Sequence, residues 1–171
     1  SLYNNFGERM REISPEELVL LAKGKAFTIY NSDGSYFQLK SDGILVEVAV
    51  TFNTISCYVN EEEKPYEADG IEFLQYTFHG KEYYGYDLKE MFPKESFYIR
   101  KATPYEIVLS TPDNSISITI EPKLNVACCY DENYNEYCDD KYIIDAEVDT
   151  YFVYSIAQNE EGGGGEKKIT V

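Results

Sequence analysis

The residues Ile144-Asp145-Ala146-Glu147-Val148-Asp149-Thr150-Tyr151-Phe152 alternate apolar and acidic types. On an extended strand, positions two apart share a face and stand roughly 6.5–7 Å from each other. Asp145, Glu147 and Asp149 therefore read as a carboxylate ladder, with Tyr151 and Val153 continuing the same face. Acids beside an aromatic ring receive Lys or Arg side chains through charge and cation–π attraction. The competing reading is a solvated strand whose charges discourage edge pairing.

A second constellation lies just upstream. In the twelve residues Asp131–Tyr142, Asp131, Asn133, Asn135 and Asp139 fall at positions 1, 3, 5 and 9 of an EF-hand-like loop. Calcium takes six to eight hard oxygen ligands, and this spacing lets one loop supply several of them. Position 6 is Glu136 where the turn needs Gly, and position 12 is Tyr142 where a bidentate Glu belongs. A solvated acidic hairpin loop accounts for the same residues, so any calcium bound here is expected to be held weakly.

Both constellations belong to an uneven charge pattern. From Glu61 to Glu72 six acids (Glu61, Glu62 and Glu63 among them) stand against Lys64, and from Asp131 to Asp149 eight stand against Lys141. These two stretches carry −12 of the formal −16. Such a distribution points away from nucleic acid and anionic membranes, and towards basic protein partners or cations. Aromatics cluster in Phe73–Phe78 and in Tyr83, Tyr84 and Tyr86. Among acids rather than Lys and Arg, they do not make a base-stacking platform. Strand alternation also keeps Tyr83, Tyr84 and Tyr86 from all facing inward, so at least one of them is expected at the surface.

Catalytic motifs are missing from the pattern. His79 is the sole histidine and sits beside Gly80 at a predicted turn, with no nucleophile-elbow context elsewhere. A His-rich zinc site is excluded, and the adjacent Cys128-Cys129 is poor spacing for a four-Cys one. Gly162–Gly165 followed by Glu166-Lys167-Lys168 fails the phosphate-loop spacing. A carboxylate pair for glycoside hydrolysis depends on the fold and cannot be read from the chain, though the absence of Trp argues against a sugar groove.

What must position these residues is a β-rich scaffold. With 171 residues, 17 Tyr, 9 Phe and 43% hydrophobic residues, the chain has the material for one self-supporting core. Strand-like segments recur at near-regular spacing with Asp33-Gly34, Asp42-Gly43, Asp69-Gly70, His79-Gly80 and Pro112-Asp113-Asn114 between them. Ile55–Val59 is expected to pair back on Ile44–Asn53, and Glu82–Asp87 to be strand throughout. Ser115–Glu121 alternates most clearly, placing Ile116, Ile118 and Ile120 inward. Ser14-Pro15-Glu16-Glu17 marks a short helix near residues 15–23 by its capping box, with Gly24 as its stop. The predicted fold class is all-β, or β-dominated α+β: an antiparallel sandwich or barrel over residues 1–157 with one short N-terminal helix. Residues 158–171 read as a flexible Gly-rich tail.

Four cysteines (Cys57, Cys128, Cys129, Cys138) permit disulfides or buried thiols, with Cys129 and Cys138 expected to face each other across the acidic hairpin. Ser1–Asn5 has no signal-peptide character, and no apolar run is long enough for a membrane helix. Twelve Lys against three Arg suit an AT-rich microbial or viral genome. These readings converge on a non-enzymatic binding module, inhibitor- or immunity-like, whose acidic surface engages a basic protein. Its partner-binding residues would be Asp145, Glu147, Asp149, Tyr151, Glu61, Glu62 and Glu63. No cofactor is expected beyond the calcium candidate, and a cytoplasmic setting is favoured if the thiols are free. The alternative is a secreted or surface β-sandwich with disulfides and a structural or adhesive role.

Overall fold

The computed structural model describes residues 9–59, 62–64, 73–123, 128–130, 133, 136–138 and 144–158. Helix α1 (Pro15–Ala22) forms where its cap is encoded: the Ser14 Oγ accepts the Glu17 backbone N–H at 3.1 Å and Pro15 occupies the first turn. The Glu17 carboxylate pairs with Arg11 at 3.4 Å, so it turns outward to the preceding strand. Leu18 and Ala22 are buried, and Gly24 takes φ +74°, which ends the helix without a Cβ penalty.

The remainder is antiparallel β-sheet. Strands β1 (Arg11–Ile13), β2 (Phe27–Ser32), β3 (Tyr36–Ser41), β4 (Ile44–Val59) and β5 (Glu62–Lys64) come first, followed by β6 (Leu74–Phe78) and β7 (Lys81–Tyr84). Then come β8 (Ser96–Thr103), β9 (Glu106–Ser110), β10 (Ser117–Pro122), β11 (Cys128–Tyr130), β12 (Glu136–Cys138) and β13 (Ile144–Gln158). The main sheet runs β1-β13-β4-β3-β2-β8-β9-β10-β6-β7, with β5 also on β4; β11 and β12 pair separately. Its terminal strands β1 and β7 are not paired to each other, so the sheet is open and the sandwich-like alternative holds over a closed barrel.

The two halves of the sheet meet through a short joint, Phe27 opposite Phe97 and Thr28 opposite Ser96. Phe27, Phe37, Val46, Val48, Phe152 and Tyr154 from one half share a single buried cluster with Leu74, Ile107, Leu109, Ile118 and Ile120 from the other. Shared burial of two apolar sheet faces is what holds such layers together. Ile118 and Ile120 are fully buried and Ile116 packs against the same cluster, as their alternation predicts.

Two elements differ from expectation. Ile44–Asn53 and Ile55–Val59 are one continuous strand, because β13 runs beside β4 along its whole length and supplies a partner throughout. The segment through Asp87 is not all strand: after β7 come a 3-10 turn (Gly85–Asp87) and α2 (Leu88–Met91). Leu88 and Phe92 are buried and Met91 packs on the core, a helical spacing that Pro93 then terminates. A Cβ at Gly85 would lie 2.5 Å from the Leu74 Cβ, so only glycine lets the backbone approach this closely.

Candidate functional site

The long β4–β13 ribbon, with β5 on its other edge, brings Glu62 and Glu63 of the first acidic stretch alongside Asp145 of the second. In register, Asp145 stands opposite Tyr58, and Tyr58 stands opposite Glu63 on its other side. Directly opposed residues of neighbouring antiparallel strands lie on one face, so Glu63, Tyr58 and Asp145 form a row across three strands. With strands about 4.8 Å apart, the two acidic positions are roughly 10 Å from each other with the tyrosine position between them. Glu62 lies opposite Val59, and Lys64 opposite Cys57, in the adjoining rows. Glu61 lies outside the described residues.

Along β13 the ladder continues with Glu147 opposite Ser56 and Asp149 opposite Asn53. The register shifts between Glu147 and Val148, where β4 carries Ile55 as an extra residue. A bulge of this kind bends the strand that holds it and increases its twist, leaving the alternation of the other strand intact. Asp149 is exposed and Tyr151 half-buried, opposite Thr51, while Phe152 between the latter and Val153 enters the core.

A hairpin distant in sequence completes this end. The turn between β8 and β9 presents Pro104 and Tyr105 to β13. The Pro104 carbonyl accepts the Phe152 N–H at 2.7 Å, and the Tyr105 hydroxyl donates to the Asp149 carboxylate at 3.1 Å. Thr103 steadies the turn, its Oγ1 accepting the Tyr105 N–H at 3.1 Å. Tyr105 is half exposed, and the hydrogen bond to Asp149 together with its negative charge raises the phenol pKa above the ordinary value. Beneath it the buried Tyr154 hydroxyl donates to the Thr103 carbonyl at 2.6 Å. Burial drives its pKa far above the ordinary tyrosine range, and the nearby Glu106 charge adds to the rise. Lys101 holds Glu106 at 2.7 Å.

Between this turn and the start of α1 runs a groove of about 450 Å³, floored by Tyr151–Tyr154 and walled by Ile13, Ser14, Pro15 and Pro104. Glu12, exposed, lines it as well. The groove opens where β1 leaves the edge of β13 after pairing Ile13 with Tyr154. Its chemistry is apolar and aromatic along the floor with carboxylates nearby, which suits the stem and the charged head of a long basic side chain.

Of the calcium candidates, Asn133 is exposed in the turn between β11 and β12; Asp131, Asn135 and Asp139 lie outside the described residues. Strand β12 begins at Glu136, within the predicted loop. The cysteine register also differs from expectation: Cys128, not Cys129, stands opposite Cys138, and Cys129 stands opposite Tyr137. A five-residue connection between Tyr130 and Glu136 sets this register, and a shift of one residue exchanges the faces.

Tyr105 and Tyr58 were not singled out from sequence, and Pro104 reads from sequence only as a break between two strands. Tyr105 bonds to Asp149 across 44 residues, and no local pattern encodes that contact. Asp113, whose carboxyl is held below its usual value by the Ser115 N–H and hydroxyl and by Thr111, shapes the β9–β10 turn and takes no part in this site. Among the described residues no helix is long and apolar enough to cross a membrane, and no group of three His, Cys, Asp or Glu is arranged to hold a metal. Comparison of the chain with protein-family models, curated proteins and solved structures finds no match.

Proposed function

We propose that this chain is a non-enzymatic protein-binding module whose acidic β13–β4–β5 surface receives the Lys and Arg side chains of a basic protein, in the manner of an inhibitor or immunity protein. The observation that carries the reading is the row Glu63–Tyr58–Asp145, in which two acidic residues more than 80 positions apart in the chain, one from each acidic stretch, flank an aromatic position. Folding concentrates like charge there instead of dispersing it, at an electrostatic cost that a cationic partner offsets. The groove beside Tyr151 and Pro104 adds a place where the apolar stem of a basic residue loses water while its head stays near Asp149 or Glu12.

Affinity capture on the immobilised protein tests this, using extracts at about 50 mM and about 500 mM salt, a range over which exposed charge pairs become screened. A basic protein retained at low salt and shed at high salt supports the reading. Capture that is indifferent to salt, or that selects acidic proteins, refutes it.

A further inference from the structure

We propose that Cys128 and Cys138 are a disulfide-forming pair that closes the acidic segment between them into a covalent ring, while Cys57 and Cys129 remain thiols. The inference stands apart from partner binding. Cys128 and Cys138 are directly opposed in the β11–β12 register. Opposed residues of an antiparallel pair have Cα separations of about 4.5 or about 5.5 Å, depending on the hydrogen-bonding type of the pair. Both values fall within the roughly 4.4–6.8 Å that a disulfide spans, so the Cα separation permits the bond in either case.

The alternatives are disfavoured by position. Cys129 lies opposite Tyr137 and, one residue along the strand from Cys128, takes the other face of the hairpin. Cys57 lies in the main sheet between Ala146 and Lys64, with no cysteine opposite it on either side. A bond between the neighbours Cys128 and Cys129 would join Cα atoms about 3.8 Å apart, below the disulfide range. The hairpin also has a physical use for a cross-link. β11 and β12 pair only with each other among the described strands, and an isolated two-stranded hairpin is marginal in water. The sequence between them includes the acids Asp131 and Glu132. Tying Cys128 to Cys138 removes conformational freedom from the unfolded segment and fixes that register.

With oxidised glutathione as the oxidant, one cysteine thiolate attacks a glutathione sulfur, forming a mixed disulfide and releasing one glutathione thiolate. The second cysteine thiolate then attacks the protein sulfur of the mixed disulfide and expels the other glutathione. The two cysteines lose two electrons and two protons, and one glutathione disulfide becomes two glutathiones.

The test equilibrates the full chain with excess oxidised glutathione, alkylates the remaining thiols, and cleaves at acidic residues so that Cys128 and Cys138 separate. The expected product is one linked pair containing these two, with Cys57 and Cys129 alkylated or glutathionylated. In a Cys57→Ser/Cys129→Ser variant, the denatured protein is expected to lose both of its thiols to an internal bond. A Cys57→Ser/Cys128→Ser variant, which retains Cys129 and Cys138, is expected to form none. A linkage through Cys129 or Cys57, or the absence of an internal bond in the first variant and in the parent chain, overturns the proposal.

Discussion

The two ends of β13 share one partner strand and one backbone geometry, yet they serve different ends. From Phe152 to Ala157 the strand is covered: Phe152, Tyr154 and Ile156 are at most 3% exposed in the main cluster, and Ala157 packs with Met10 and Leu45 on the opposite face. β1 pairs with this end and the β8–β9 turn caps it. From Ile144 to Asp149 the alternate positions are acidic, and the neighbours are β4 and, beyond it, β5 with its own acids. One end supplies cohesion and the other supplies charge. The hydrogen-bond ladder is common to both, so what separates them is the side-chain set and what it is exchanged against on folding.

The contrast breaks most sharply at the covered end. Phe152→Ala removes a ring from a cluster that both halves of the sheet share. It should cost about 3–5 kcal/mol, read as a lowered urea midpoint with little change in slope. A loss under about 1 kcal/mol would mean the two halves do not rely on a common core.

Tyr154→Phe keeps the ring and removes the hydroxyl that reaches the Thr103 carbonyl. Losing that hydrogen bond should cost about 0.5–1.5 kcal/mol. The parent protein also carries a pH signature. In the unfolded chain the phenol ionises near the ordinary value of about 10, whereas in the folded chain its pKa is raised. Below that pH both states hold the proton, and the stabilisation is fully present. As pH climbs from about 10 towards the folded pKa, the unfolded chain releases its proton first and stability falls. Denaturation midpoints should therefore drop more steeply above pH 10 in the parent than in Tyr154→Phe; parallel curves would show that burial does not displace this group.

How much of this was legible follows from how local each signal is. The α1 cap needs only Ser14 and Glu17, three residues apart, and the Ser115–Glu121 alternation is self-contained; both were read from the chain. The row Glu63–Tyr58–Asp145 depends on β13 lying along β4 over their full lengths, a register that only the packed core fixes. Two acidic stretches were visible, but their adjacency was not. The β8–β9 turn announced itself through Pro104, yet nothing nearby in the sequence tells Tyr105 to reach Asp149. The cysteine register was missed by one residue, because the hairpin connection proved to be five residues long and its exact ends are not encoded by composition. Helix α2 is a single turn, too short to stand out from the strands around it.

At the charged end the expectation reverses. Asp145→Lys with Glu147→Lys should leave stability within about 0.5 kcal/mol per substitution if these carboxylates serve a partner and not the core. It should weaken low-salt capture of the basic partner by about tenfold or more, with the difference shrinking at high salt. Glu63→Lys should act in the same direction, since it shares the row with Asp145. Unchanged retention in the double variant would remove the acidic surface from the function and leave these charges as solvating groups.

The smallest effect lies at the boundary between the two ends, where Tyr105 bonds to Asp149. The phenol is raised because it donates to the carboxylate and because a phenolate there would face a negative charge. Asp149→Asn removes the charge while keeping an acceptor, so Tyr105 should ionise at a lower pH than in the parent. NMR titration of the Tyr105 ring can follow this with little change in stability. The same variant bears on recognition, because a Lys or Arg head seated between Tyr105 and Asp149 would favour phenolate over phenol. Adding the captured basic partner to the parent should thus lower the Tyr105 pKa, and adding it to Asp149→Asn should lower it less. If the partner binds and leaves the titration of Tyr105 unmoved in both, the contact surface lies farther along the ribbon, at the Glu63–Tyr58–Asp145 row, and the groove beside Pro104 is not part of it.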